Sequence, residues 1–243
     1  VPEPGEVARA AYVGAWRALR SGAETTGVLD RLDRRAPSSR VAAHLRSLFA
    51  IHDVDDLVRL DAPWWTYGAT AEVEAHLASL EGRARVFEYG AGASSVWLAR
   101  RAAQVHSVEH DPGFAGVMRR LVDEHDLGDR LTLLEVPPTV SAEPRVPSTR
   151  RGEQGRDYAG YVAAIDAVPG DLDLVVVDGR ARMACLEAAA RRLAPGGIVL
   201  VDDSQRPRYA AGLASCGLTV HRHRGWVPSL PYPRETAVLR GRR

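Results

Sequence analysis

Residues 86–95 read VFEYGAGASS, a short apolar run, an acid, two glycines one residue apart, then two serines. A strand running into such a glycine turn delivers the chain to a bound nucleotide. Gly90 and Gly92 carry no Cβ, so the backbone can turn tightly and approach a ligand. A helix is expected to begin near Ser94, whose hydroxyl can cap it, and its free N–H groups favour a negatively charged ligand group. Glu88 discriminates among ligands. A carboxylate beside a pyrophosphate is repulsive, whereas beside an ammonium it is attractive, so a ligand with a positively charged amino-acid end fits better than NAD. The third glycine of G-x-G-x-x-G is also missing, because Ser95 holds that place.

Outward from this turn, the chain alternates helical and strand patterns from about residue 70. AEVEAHLASL, SSVWLARRA, FAGVMRRLVDEHDL, YAGYVAAIDAV and ARMACLEAAARRL have helical spacing, and a last helix is expected near 206–215. ARVFEYG, QVHSVEH, RLTLLEV, LDLVVVDG, GGIVLVDD, LTVHRHRGW and ETAVLRG read as strands. Strands separated by helices form a mostly parallel sheet covered on both faces. The last two strand segments are joined by VPSLPYPR without a helix, which predicts an antiparallel pair at the sheet edge. The fold class is therefore α/β, a doubly wound, seven-stranded sheet with an antiparallel last strand. Residues 6–20, with apolar positions at helical spacing, and SSRVAAHLRSLFA at 38–50, which opens like a capped helix, make residues 1–62 an N-terminal helical extension or lid. Residues 63–243 form the ligand-binding domain. The Pro- and Arg-rich stretch 137–156 is a long loop leaving the carboxyl end of a strand, either a lid or disorder.

Composition limits the function classes. The 243 residues, 45% hydrophobic and 26% charged, describe an ordinary globular chain, and the net charge of +1 makes no global case for nucleic-acid or membrane binding. All 32 basic residues are arginine, with no Lys and no Asn, so no catalytic lysine and no asparagine ligand exists. Cys185 and Cys216 are too few for a disulfide framework or a zinc site and read as small buried thiols. The N-terminus lacks the basic and apolar regions of a signal peptide, and no apolar run is long enough to span a membrane, so a cytoplasmic protein is expected.

Four further groups are candidates for chemistry. Twenty-one residues after Glu88, Glu109 ends the next strand, where an acid accepts hydrogen bonds from ribose hydroxyls; His110 beside it can pack against an adenine or lie on the surface. Asp178 closes the strand LDLVVVDG, and Asp202 and Asp203 close GGIVLVDD. Three acids on one rim repel unless a cation or arginines compensate. Either a hard ion such as Mg²⁺ binds there, or Arg180, Arg182 and Arg206 pair with the aspartates. In DAPWWTYGA (61–69), Trp64, Trp65, Thr66 and Tyr67 either contact the ligand or anchor the extension by packing. His221, His223 and Trp226 either border a second substrate or belong to an exposed hairpin.

Together VFEYGAGASS, SVEHD, DLVVVDG and LAPGGIVLVDD resemble the class I S-adenosylmethionine-dependent methyltransferases over roughly residues 64–240. The resemblance implies a Rossmann-like methyltransferase fold. It implies that Glu88, Gly90 and Gly92 hold the methionine end of S-adenosylmethionine, with Ser94 and Ser95 in the same motif. Glu109 takes the ribose hydroxyls, His110 borders the adenine, and Thr66 and Tyr67 belong to a covering segment. It also places Asp178, Asp202 and Asp203 where cation-dependent O-methyltransferases of the catechol and sugar types carry metal ligands. Without the metal, Asp178 or Asp203 serves as a general base. The catalytic lysine of the catechol type has no counterpart. O-methylation of a small natural-product or sugar-type acceptor is expected, with neither nucleic acid nor membrane as partner; a homodimer is compatible with the sequence. The alternatives are a non-methylating protein binding the same cofactor and, disfavoured by Glu88 and the missing glycine, an NAD(P)-dependent oxidoreductase.

Overall fold

The computed structural model describes residue 16 and residues 19–50, 53–150 and 152–241. The helix expected over 6–20 falls largely outside them. Among the described residues, nine strands form two sheets. The main sheet contains β1 (Arg85–Tyr89), β2 (Gln104–Glu109), β3 (Leu131–Glu135), β6 (Leu172–Val177), β7 (Leu193–Val201), β8 (Thr219–Gly225) and β9 (Arg234–Arg240). Their order is β3-β2-β1-β6-β7-β9-β8. All neighbours are parallel except where β9 inserts between β7 and β8 and runs antiparallel to both. The predicted seven-stranded α/β sheet with an antiparallel last strand is therefore the observed one. The last strand lies one position inside the edge, and β8 forms the edge itself.

Strand alternation explains the two-sided core. Val86, Leu174, Val176, Ile198, Leu200 and Val238 pack on one face. Phe87, Tyr89, Val175, Val177, Val199 and Leu239 pack on the other. A parallel strand buried on both faces needs apolar residues at consecutive positions, which is why DLVVV and IVLV are unbroken runs. Helices α4 (Tyr67–Ser79), α5 (Ala93–Ala99) and α6 (Pro112–Glu124) contribute to the first face. Helices α7 (Ala159–Ala163), α8 (Arg182–Ala190) and α9 (Ala210–Ser215) contribute to the second. Cys185 is buried and Cys216 half-buried, both as free thiols. Strand order reverses between β1 and β6, so the connections leaving their carboxyl ends run to opposite sides and open a crevice there.

Upstream lie α1 (Val28–Arg35), α2 (Arg40–Ser47) and α3 (Val54–Arg59). Ser39 caps α2, its hydroxyl accepting from the Ala42 N–H, as its position in SSRVAAHL predicts. Arg46 donates from both terminal nitrogens to Asp56 at 3.0 Å, joining α2 to α3 in a buried fork. Burial alone would raise the Asp56 pKa, but Arg46, with Arg20 and Arg59 near, holds it below the ordinary carboxylate range. Trp65 is fully buried, edge-on to Trp97 of α5 at 5.8 Å, so of the two readings of that tryptophan the packing anchor is the observed one.

The 137–156 stretch is more ordered than its composition implies. Thr139–Val140 (β4) pairs antiparallel with Arg156–Asp157 (β5). The Asp157 carboxylate accepts from the backbone N–H groups of Arg145, Val146 and Ala159 at 2.9–3.2 Å. One carboxylate thus supplies the hydrogen bonds that a proline-rich segment cannot make through a ladder. Among the described residues, no helix is long and apolar enough to cross a membrane.

Candidate cofactor and acceptor site

The glycine turn sits at the β1/β6 crevice. Gly90 has φ +94, a conformation that disfavours any side chain, and a Cβ there would lie 2.7 Å from the Gly179 Cα. A Cβ on Gly179 would in turn lie 1.9 Å from the Tyr161 hydroxyl. The loops after β1 and β6 therefore cross backbone to backbone, held by the Asp178 N–H donating to the Tyr89 carbonyl at 3.0 Å. Gly92 differs. Its φ of 179 is extended, and a Cβ would meet only the Ser94 Oγ at 3.8 Å, so nothing in the protein demands glycine there. The Tyr161 hydroxyl is buried without a hydrogen-bond partner among the described residues.

Glu88 does not present its charge to the crevice. It is fully buried and accepts from the hydroxyls of Ser94 and Ser95 at 2.5 Å and of Ser107 on β2 at 2.7 Å. Burial pushes its pKa up to about 7 against the pull of the three hydroxyls. The acid expected to face a ligand's ammonium is thus bonded to three serine hydroxyls. The carboxylate ties the first turn of α5 to β1 and β2, because the serines following the glycines reach back to it first. The cap is corrected. Helix α5 starts at Ala93, and it is the Ser95 Oγ that accepts from the Gly92 N–H at 3.0 Å, while Ser94 is spent on Glu88.

Glu109 ends β2 almost buried. Its Oε1 accepts from the N–H groups of His110 and Asp111 at 2.8 Å and lies 2.7 Å from the His110 Nδ1. The backbone thus clamps one carboxylate oxygen and fixes the orientation of the other. His110 lies about 6 Å, ring to ring, from the buried Tyr158 and Tyr161.

A cavity of about 870 Å³ adjoins the turn, lined by Trp64, Asp178, Gly179, Asp202, Asp203 and Tyr232 among others. Six arginines share its walls: Arg150, Arg180, Arg182, Arg206, Arg208 and Arg234. Arg182 reaches Asp178 at 2.6 Å and lies 3.8 Å from Asp202. Asp203 is held by Arg206 on one oxygen and by Arg234, at 3.3 Å, on the other. Thr236 donates to Asp202 at 2.8 Å. Burial, then the Asp202 charge, pushes the Asp178 pKa up in spite of Arg182, and burial pushes Asp202 up to about 6.

The expected Mg²⁺ ligand set does not assemble. Guanidinium groups engage all three aspartates, and their oxygens do not converge as metal ligands do; among the described residues only Glu72, His221 and His223 bring three ligand atoms together. Arg182, Arg206 and Arg234 pair with these acids, whereas Arg180 turns to Glu153, at 3.7 Å.

Thr66 and Tyr67, expected in a covering segment, have partners within the protein. Thr66 is buried, accepting from the Ala69 N–H as the cap of α4 while its own N–H donates to Thr236. Tyr67 meets His44 at 3.3 Å. Trp64 alone of that segment lines the cavity. His221 and His223 pair with Glu72 outside it, and Trp226 packs on His44. Gly179, Tyr161, Arg150, Arg208 and Arg234 were not among the residues expected there. The glycine after Asp178 in VVVDG was the available signal for the first.

Residues 87–204 match a family described as a methyltransferase domain. The fold is similar to that of a Klebsiella pneumoniae protein provisionally described as an O-methyltransferase, at 16% identity and TM-score 0.53, covering 95% of this chain and 99% of that one. An rRNA methylase from Streptococcus thermophilus superposes at 10% identity and TM-score 0.49, covering 71% and 95% of the two chains. A methyltransferase from Podospora anserina, solved with SAH bound, does so at 16% and 0.48, covering 69% and 76%. No curated protein matches the sequence.

Proposed function

We propose that the chain is a class I S-adenosylmethionine-dependent methyltransferase and that it methylates a hydroxyl of a small, anionic acceptor, of natural-product or sugar type, held in the arginine-lined cavity. One observation carries this reading: the cavity shares Asp178 and Gly179 with the glycine turn, so a cofactor site and an acceptor site meet at one strand end.

The residues present fit S-adenosylmethionine. Gly92 keeps clear a space that no protein atom needs, Glu109 offers its second oxygen to ribose hydroxyls, and the buried Tyr161 hydroxyl awaits a partner. When bound, the cofactor supplies a methyl group already activated as a sulfonium. The protein's own task is then to orient the acceptor and manage one proton. Asp178 is the residue for that proton. It stands on the cavity wall with its pKa raised by burial and the Asp202 charge, whereas Asp203 has arginines on both oxygens. Six arginines against three aspartates leave the walls net positive, which favours a carboxylate, phosphate or sulfate on the acceptor. Residues 63–243 are the catalytic unit in this reading, with residues 1–62 as its extension, in the cytoplasm.

Calorimetry with S-adenosylmethionine and NAD is expected to detect binding of the first only, weakened at least tenfold by Glu109→Ala. Tight NAD binding with no response to S-adenosylmethionine would overturn the reading. Transfer of labelled methyl groups to a panel of hydroxylated acids, neutral hydroxyl compounds and RNA is expected to favour the acids. Because arginines occupy the aspartates, activity is expected to survive exhaustive EDTA treatment.

A further inference from the structure

Away from the cavity, on the outer edge of the sheet, three side chains converge that the methyltransferase reading leaves without a role. His221 and His223 are two residues apart on β8 and so share a face of the strand. That face meets α4, whose Glu72 places its Oε2 2.8 Å from the His221 Nδ1 and 2.6 Å from the His223 Nε2. The three atoms all lie within 4.8 Å of one another. We propose that Glu72, His221 and His223 form a transition-metal site of the Zn²⁺ type that ties helix α4 to the edge strand.

The surroundings prepare each ligand. Arg240 on β9 donates to the other Glu72 oxygen at 3.0 and 3.2 Å, which aims Oε2 at the imidazoles. Partners of this kind, bound to a ligand rather than to the ion, are what orient carboxylates at metal centres. The His223 ring lies over Gly68, its Nδ1 2.9 Å from where a Cβ would stand, so glycine at that position lets the ring reach Glu72. His221 is largely exposed and leaves the site open to an incoming ion. Two imidazole nitrogens and one carboxylate oxygen form the mixed set that Zn²⁺ accepts, with a fourth position left to water. Binding requires that both facing nitrogens offer lone pairs, so the protons now directed at Oε2 move to the far ring nitrogens or leave to solvent.

The test uses the untagged full chain, stripped with EDTA, titrated with Zn²⁺ against a chromophoric chelator. One equivalent is expected to bind and to raise the melting temperature, with affinity reduced at least tenfold in His221→Ala and in Glu72→Gln. His221→Ala is the cleaner variant, since an exposed side chain leaves no cavity, and its circular dichroism and S-adenosylmethionine binding are expected to match the wild type. Co²⁺ in place of Zn²⁺ is expected to show a nitrogen and oxygen ligand spectrum without thiolate charge transfer. Absence of binding, or undiminished affinity in both variants, overturns the proposal. Neither result bears on the methyltransferase reading, because none of the three residues lines the cavity.

Discussion

At Glu88 a carboxyl group has left water altogether and found three hydroxyls, each donating to one of its oxygens. Burial still wins, placing its pKa at about 7 in the folded chain, above the 4.5 of a free glutamate. The folded state therefore binds the proton more tightly than the unfolded state. Stability from this group is complete below pH 4.5 and is lost as pH rises through 7. The pKa difference corresponds to roughly 3 kcal/mol. Urea unfolding between pH 5 and 8 should show this loss in the wild type and a flatter profile in Glu88→Gln, whose amide stays neutral. Equal slopes in the two proteins would remove Glu88 as its source. The serine-for-glycine replacement at Ser95 gains a meaning here too: it supplies one of those hydroxyls and the acceptor for the Gly92 N–H.

Among the elements, the glycine crossing and the tryptophan pair set where the site lies. Gly179→Ala would push a methyl into the Tyr161 hydroxyl and separate the loops after β1 and β6. Backbone there cannot yield without breaking the bond from Asp178 to Tyr89, so cofactor binding is expected to fall below detection by calorimetry even where the variant folds. On the opposite face of the sheet, Trp65 and Trp97 seat the segment 61–67 against α5. Trp97→Ala leaves a large cavity between buried elements and is expected to cost about 3–5 kcal/mol in denaturant unfolding. A loss below 1 kcal/mol would mean that the segment is held by something else, such as the Thr66 to Thr236 bond.

For the whole molecule, function turns on which charges the fold brings together. The formal net charge of +1 hides a cavity where six arginines face three aspartates. Arg208→Ala is expected to raise the KM for an anionic acceptor about tenfold, with the Kd for S-adenosylmethionine unchanged. The alternation of strands and helices, the unbroken apolar runs and the glycine at position 90 were legible in the residues themselves. A two-residue period, buried faces and a left-handed turn are local demands that each stretch of chain must meet alone. The partners of polar side chains were not legible. Glu88 on β1 finds Ser107 on β2, Asp203 finds Arg234 from the far end of the chain, and Glu72 finds two histidines 149 and 151 residues away. Such choices depend on distances that exist only after the sheet has assembled, because hydrogen bonds and ion pairs act over a few ångströms whatever the separation along the chain. Sequence alone thus determined a doubly wound sheet with a ligand turn at Gly90. Tertiary structure decided that arginines would pair with the aspartates, and that the histidines of the last hairpin would face Glu72 on a helix.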